Sequence, residues 1–321
     1  MKTTLTARNA ALLATALTCS LCAAQDGNNA SASQSGAGNR AYISQTDNLG
    51  GIFAMVVQNG NNNLVGNPDS QSGGVRQYEA SNLRMEIRQT GDGNRATGTQ
   101  RSGERTWFIL EQAGAANITA VRQDAAFESV TRVRQAGTNN RVDGDAANTL
   151  ANGFTASQTG ADNTVNIFQR RNGFSDSNMD QNGTGNQIVG EQTFADYTQY
   201  DMAQYGERNQ ITALSSESLF TDYTIAQNGT ENRATTRTSA EASGGDLLQT
   251  GIGNMASTDQ QGRSSEYSVT QSGTLNTAAL TQTGNMSAET SNLATIRQNG
   301  QRLNASLVQT GGGNQGVIAQ Q

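Results

Sequence analysis

Polar and apolar positions in this chain recur with a period longer than that of any single helix or strand. The motif Gln-x-Gly-x-x-Asn has its lead Gln at Gln89, Gln112, Gln135, Gln158, Gln181, Gln204 and Gln227, each displaced from the one before by the same step of 23. Its Asn stands at Asn94, Asn117, Asn140, Asn163, Asn186, Asn209 and Asn232, and its Gly at Gly91, Gly114, Gly137, Gly160, Gly183, Gly206 and Gly229. The motif also occurs at Gln34-Gly36-Asn39, Gln58-Gly60-Asn63, Gln249-Gly251-Asn254, Gln271-Gly273-Asn276 and Gln309-Gly311-Asn314, and Gln298 is a further lead position. A half-period of 11 lies inside each unit, as in Gln89 to Gln100 and in Gln249, Gln260, Gln271 and Gln282. Each unit therefore has two similar halves.

Alternation assigns each half to a strand. An apolar residue stands two places before the lead Gln, as at Val56, Ile87, Leu110, Val133, Met179, Ile225 and Leu307. Seven places after it comes a small or branched residue, as at Ala96, Val142, Val165, Ile188 and Ala278. This period of two puts Gln, Asn and the apolar residues on one face of each strand. The Gly between the halves supplies a reversal with positive φ. A strand-turn-strand of 22 or 23 residues cannot bury its inner face alone, so copies stack about every 4.8 Å. The expected fold is all-β, a β-solenoid with amyloid-like cross-β pairing, in which the lead Gln and motif Asn form ladders of side-chain amides.

The segmentation follows from the same spacing. Residues 1–24 read as a secretory signal, with Lys2 and Arg8 in the charged region, Ala10 to Leu17 as a short apolar stretch and Ala23-Ala24 at the cleavage site. Residues 25–33 form a short N-terminal segment, and residues 34–321 hold about 12–13 repeats. The step from Gln58 to Gln89 is 31, which predicts a loop insertion near 64–80 around Pro68. Spacing also breaks after Gln282, predicting irregularity near 283–297.

Composition narrows the chemistry. There is no His, and both Cys (Cys19 and Cys22) fall in the leader, so imidazole bases, His-ligated metals and disulfides are excluded from the mature chain. Charged residues make up 15% where ordinary domains carry about 25%. The net charge of −6 becomes −8 without Lys2 and Arg8, which argues against nucleic acid as a partner. The apolar part of the leader is too short to span a bilayer, and no span is expected once it is removed. No cofactor is called for. The Gly-rich turns lack the Lys-Ser/Thr and helix of a phosphate loop, and Asp92, Asp162 and Glu231 do not recur at one position as in a calcium-binding β-roll. Arg88, Arg122, Arg134 and Arg297 precede a Gln and are expected to point outward.

The pattern Gln-x-Gly-x-x-Asn-x-Ala-x-x-x-Gln is complete in Gln34-Gly36-Asn39-Ala41-Gln45, Gln89-Gly91-Asn94-Ala96-Gln100, Gln249-Gly251-Asn254-Ala256-Gln260 and Gln271-Gly273-Asn276-Ala278-Gln282. In this it resembles the curlin family, the subunits of bacterial curli, over roughly residues 34–321. The resemblance implies a secreted, non-enzymatic subunit of extracellular amyloid fibres at the bacterial surface, serving adhesion and biofilm matrix. Its implied partners are further copies, related curlin subunits and a curli-type outer-membrane secretion machinery. A minor subunit that nucleates such fibres is the alternative within the family. Outside it stand a soluble binding solenoid, which would need a regular outward Thr face, and a β-helical depolymerase, which would need a recurring acidic cluster. The outward pairs Arg95/Thr97, Ile118/Ala120 and Arg141/Asp143 show no such regularity.

Overall fold

A computed structural model describes residues 28–47, 49–66, 75–194, 196–216, 219–239, 242–262, 264–284 and 291–321, and two strand backbones nearer the N-terminus, Thr3–Arg8 and Cys19–Ser20. The fold is all-β: a β-solenoid whose rungs pair in parallel, in two units, residues 1–162 and 163–321.

Each unit has two sheets. In the first unit, the sheet carrying the lead Gln (the lead sheet) stacks Cys19–Ser20, Asn29–Ser35, Phe53–Asn59, Arg84–Asp92, Trp107–Ala115, Val130–Thr138 and Gly153–Ala161. The return sheet stacks Thr3–Arg8, Arg40–Thr46, Leu64–Val65 with Val75–Tyr78, Arg95–Arg101, Ile118–Asp124 and Arg141–Ala147. In the second unit the lead strands are Asp176–Thr184, Asp196–Glu207, Leu219–Thr230, Gly244–Ile252, Ser265–Thr274, Asn292–Gln301 and Gln315–Gln320. Its return strands are Thr164–Arg170, Gln187–Thr193, Gln210–Ser216, Arg233–Ser239, Met255–Gln261, Thr277–Thr283 and Asn304–Thr310.

Register follows the repeat period. Gln112 lies opposite Gln89 on one side and Gln135 on the other, and Gly114 likewise between Gly91 and Gly137. Because each residue's neighbour is its own equivalent one period away, every inward position becomes a column of equivalent places, and the lead Gln and motif Gly columns hold like residues. Burial alternates accordingly, as in Ile118–Asp124 and Thr164–Arg170, and Ile87, Leu110, Val133, Val142, Val165, Ile188 and Ile225 are all buried. Arg88, Arg122, Arg134 and Arg297 do face out.

Size varies within these columns, and the two sheets compensate for each other. Phe108, Phe154, Tyr200, Tyr223 and Tyr267 are buried four places before a lead Gln. Small residues make room for them: in the return sheet a Cβ on Gly98 would come within 2.9 Å of the Phe108 ring and one on Gly144 would overlap the Phe154 ring, and within the lead column itself one on Gly245 would overlap the Tyr267 ring. Burial also pushes the Tyr200 and Tyr267 hydroxyls well above the usual phenol range, so these groups stay neutral.

Three boundaries differ from those expected from sequence. Repeat structure begins at Asn29 rather than at residue 34, because the strand that ends in Gln34 and Ser35 pairs in register with Phe53–Asn59. The insertion is narrower than 64–80. Leu64 and Val65 pair with Arg95 and Ala96, and Val75–Tyr78 pairs with Gly98–Arg101, so both pieces remain in the rung. Residues 67–74, with Pro68, lie outside the described residues. Regular pairing likewise resumes at Asn292, opposite Ser265, rather than after 297. In both places strand pairing keeps hold of residues that can reach register on either side of the irregular spacing. Of the leader, Thr3–Arg8 and Cys19–Ser20 pair antiparallel with Arg40–Thr46 and with Ser31 and Ala32, and its other residues lie outside the described residues. Among the described residues, no helix is long and apolar enough to cross a membrane.

Candidate functional site

The side chains that link rung to rung are the lead Gln and motif Asn residues. In the first unit, Nε2 of each lead Gln donates to Oε1 of the next: Gln34 to Gln58 (2.6 Å), Gln58 to Gln89, Gln89 to Gln112, Gln112 to Gln135 and Gln135 to Gln158 (each 2.8 Å). The second unit runs in the same sense, Gln181 to Gln204, Gln227, Gln249, Gln271, Gln298 and Gln320, at 2.7–2.9 Å. The other amide hydrogen crosses to the return sheet, as from Gln112 to the Arg95 carbonyl (3.1 Å) and from Gln204 to that of Gln187 (3.0 Å). A Gln at this position thus ties both neighbouring rungs and both sheets, with its amide satisfied in a dry interior.

The Asn column works at the corner. Oδ1 of Asn94 accepts from both the backbone N–H and Nδ2 of Asn117, and Nδ2 of Asn94 donates to the Gly114 carbonyl (3.0 Å). The backbone contact repeats in Asn39–Asn63, Asn63–Asn94, Asn117–Asn140, Asn163–Asn186, Asn186–Asn209, Asn209–Asn232, Asn232–Asn254 and Asn254–Asn276. The glycine beside it is demanded by space as well as by φ. Gly91, Gly114, Gly137, Gly160, Gly183, Gly206 and Gly229 all have φ between 101° and 134°, and a Cβ on Gly137 would overlap the Gly160 carbonyl oxygen.

Gln309 and Asn314 do not join these columns. Gln309 accepts from Gln282 (2.8 Å) in the return sheet, and Asn314 bonds Asn292 at the opposite corner. The lead position of that rung is Gln298, and the place of its Asn is taken by Leu303, whose N–H donates to Asn276 Oδ1 (3.0 Å). The cause is the half-period. Gln298 and Gln309 stand half a rung apart, and the two halves have nearly the same motif.

A second ladder in the return sheet was marked only by the Gln that recurs one half-period after a lead Gln. It joins Gln45, Gln77, Gln100 and Gln123 in one unit, and Gln169 with Gln192 and Gln260 with Gln282 and Gln309 in the other. Ser215 and Thr238 interrupt it between Gln192 and Gln260, and the Tyr223 hydroxyl bonds Thr238 and donates to Gln260 Oε1 (2.7 Å), linking the last of these rungs to the next Gln. Outside, Phe174, Tyr197 and Phe220 stack face to face at 5.2 and 5.0 Å. Their spacing by one full period was visible in the sequence, but the strand alternation did not extend to this corner.

The ladders have chemically distinct ends. In the first unit Gln34 Oε1 is buried and has no donor among the described residues. At the other terminus Gln320 accepts from Gln298 and donates to the Asn304 carbonyl (3.0 Å), leaving one amide hydrogen in the direction of a further rung. The edge strand Gln315–Gln320 is half-buried to exposed throughout.

Compared with models of known families the chain matches none, and a search among curated proteins likewise found no match.

Proposed function

We propose that the chain is a structural subunit of a secreted, curli-like fibre that grows by adding rungs through its Gln and Asn ladders. The observation that carries this reading is that the lead ladder of each unit runs one way, with an acceptor unfilled among the described residues, Gln34 Oε1, where the first unit's ladder begins and a donor at Gln320 where the second unit's ladder ends. A buried acceptor without a partner costs about 1–3 kcal/mol, and the Gln320 amide of a second copy supplies the missing donor. Edge strands bearing the interior's own side-chain columns favour another copy over any unrelated strand. The pairing of Cys19–Ser20 with the first lead strand adds a further point: leader removal after residue 24 uncovers the edge that holds Gln34. On this reading the partners are further copies and related subunits, export uses a curli-type outer-membrane machinery, and the fibre serves adhesion and biofilm matrix.

The experiment is to dilute the chain lacking residues 1–24 out of denaturant and follow thioflavin fluorescence, electron microscopy and fibre diffraction. Fibres with a meridional reflection at ~4.7–4.8 Å are expected. A chain that folds yet stays monomeric at high concentration for days overturns the reading.

A further inference from the structure

The two units differ in charge in a way the repeat does not require. The first holds 13 basic and 13 acidic residues, the second 8 and 14, so the whole net charge of −6 belongs to the second. The difference is concentrated on the outer face of the lead sheet. In the first unit this face bears Arg84, Arg88, Arg132 and Arg134, all exposed. Glu86 beneath them is buried and pairs with Arg84 and Arg88, Arg84 also lying against the rings of Phe53 (5.6 Å) and Trp107 (5.9 Å). Glu111 stands in register between Arg88 and Arg134, and neither Arg132 nor Arg134 has a carboxylate within ion-pair distance among the described residues.

The corresponding face of the second unit bears Asp180, Asp201, Asp222, Asp246 and Glu266 on successive strands, and Arg297, on the strand after Glu266, is the one basic residue on it among the described residues. None of these carboxylates has an arginine or lysine within ion-pair distance among the described residues. Their recorded side-chain bonds are to neutral donors: Asn178 and Gln199 to Asp201, and Tyr205 to Asp180. Burial, followed by repulsion from Asp201 and Asp246, raises Asp222 above the usual carboxylate range, as expected where like charges crowd without a counter-ion. Both faces share the ~4.8 Å rung spacing: the carboxylates stand on successive strands, and the guanidinium groups on two strands separated by the one that carries Glu111, so opposite signs meet at every second rung.

We infer that the acidic lead-sheet face around Asp201, Asp222, Asp246 and Glu266 is a docking surface for the basic lead-sheet face of a second copy, through Arg84, Arg88, Arg132 and Arg134. This association is lateral, side by side. It involves outward residues only, so it is separate from ladder growth at the ends and does not rest on the fibre reading.

The test is charge exchange in the full chain, using R132D/R134D and D222R/D246R. Sedimentation velocity measures association of soluble chains, and electron microscopy measures bundle width if fibres form. Wild-type association is expected to weaken as the screening length falls from about 30 Å to about 3 Å, between about 0.01 M and 1 M salt. Each variant alone should associate about tenfold more weakly at low salt, and an equimolar mixture of the two should restore much of the loss. Only complementary faces give that rescue, and a misfolded variant would not. No loss in either variant, or loss without rescue, overturns the inference. Loss on reversing the acidic face alone assigns that face to a different cationic partner and overturns it too.

Discussion

At the scale of the residue, a polar side chain in this interior is worth keeping only because its neighbours are identical. Gln112 accepts from Gln89, donates to Gln135 and donates again to the Arg95 carbonyl, so removing it strands groups in two adjacent rungs. Gln112→Ala should lower stability by about 1–3 kcal/mol. The exposed Arg105–Glu128 pair also links rungs, at 2.6 Å, but Arg105→Ala should cost less than about 1 kcal/mol because water already solvates both charges. Denaturant unfolding of the two variants measures the contrast, and equal losses would mean that the ladder is not a buried network. The lead Gln and motif Asn were legible as residues because they recur at fixed intervals. Gln77 was not, since the insertion hides its step from Gln45, although it stands one full period before Gln100.

At the scale of the element, the corner decides what the strand can do. Gly137 has φ of +117° and no space for a Cβ, whereas Gly93, at φ of +68°, has nothing within 4 Å of where its Cβ would stand. The position of Gly93 in other rungs is filled by Ala116, Asn139 and Asp162 at similar φ. Gly93→Ala should therefore cost only the left-handed backbone penalty, about 1–2 kcal/mol. Gly137→Ala should cost more than that, since two adjacent rungs must separate to admit the methyl. Thermal unfolding compares them, and similar midpoints would show that φ alone selects the glycine. The motif marked Gly137 and left the place of Gly93 variable, and the rung-to-rung distance gives the reason: only the first has no space for a side chain.

At the scale of the whole molecule, charge is distributed less evenly than sequence repetition suggests. Raised by burial and by Asp201 and Asp246, Asp222 binds its proton more tightly folded than unfolded. Its contribution is therefore fully present below the ordinary carboxylate pKa of about 3.9 and is lost as pH rises through the raised folded value. Near neutral pH the ionised group opposes folding, so Asp222→Asn should raise the unfolding midpoint there and have no such effect in acid. The gain should stay well under about 1 kcal/mol, because the side chain is exposed and solvent screens it. Unfolding curves across the carboxylate range check the sign, and a variant that is less stable at neutral pH refutes it.

The sequence by itself determined the rung, its two strands, the inward residues and the chemistry of the ladders. In a stack of equivalents a residue's contact is with its own counterpart, so periodicity alone names both partners. Only the tertiary structure decided whether Gln309 belongs with Gln298 or with Gln282, since halves that resemble each other at the half-period are degenerate until strands pair. It also decided that Val75–Tyr78 and Asn292–Gln301 stay in register, because cooperative pairing outweighs local irregularity in spacing. The fit of Phe154 over Gly144, and the gathering of unlike charges on separate faces, belong to the structure for a related reason. They arise between different positions of the repeat, across sheets or along a face, and a period reports only contacts between like ones.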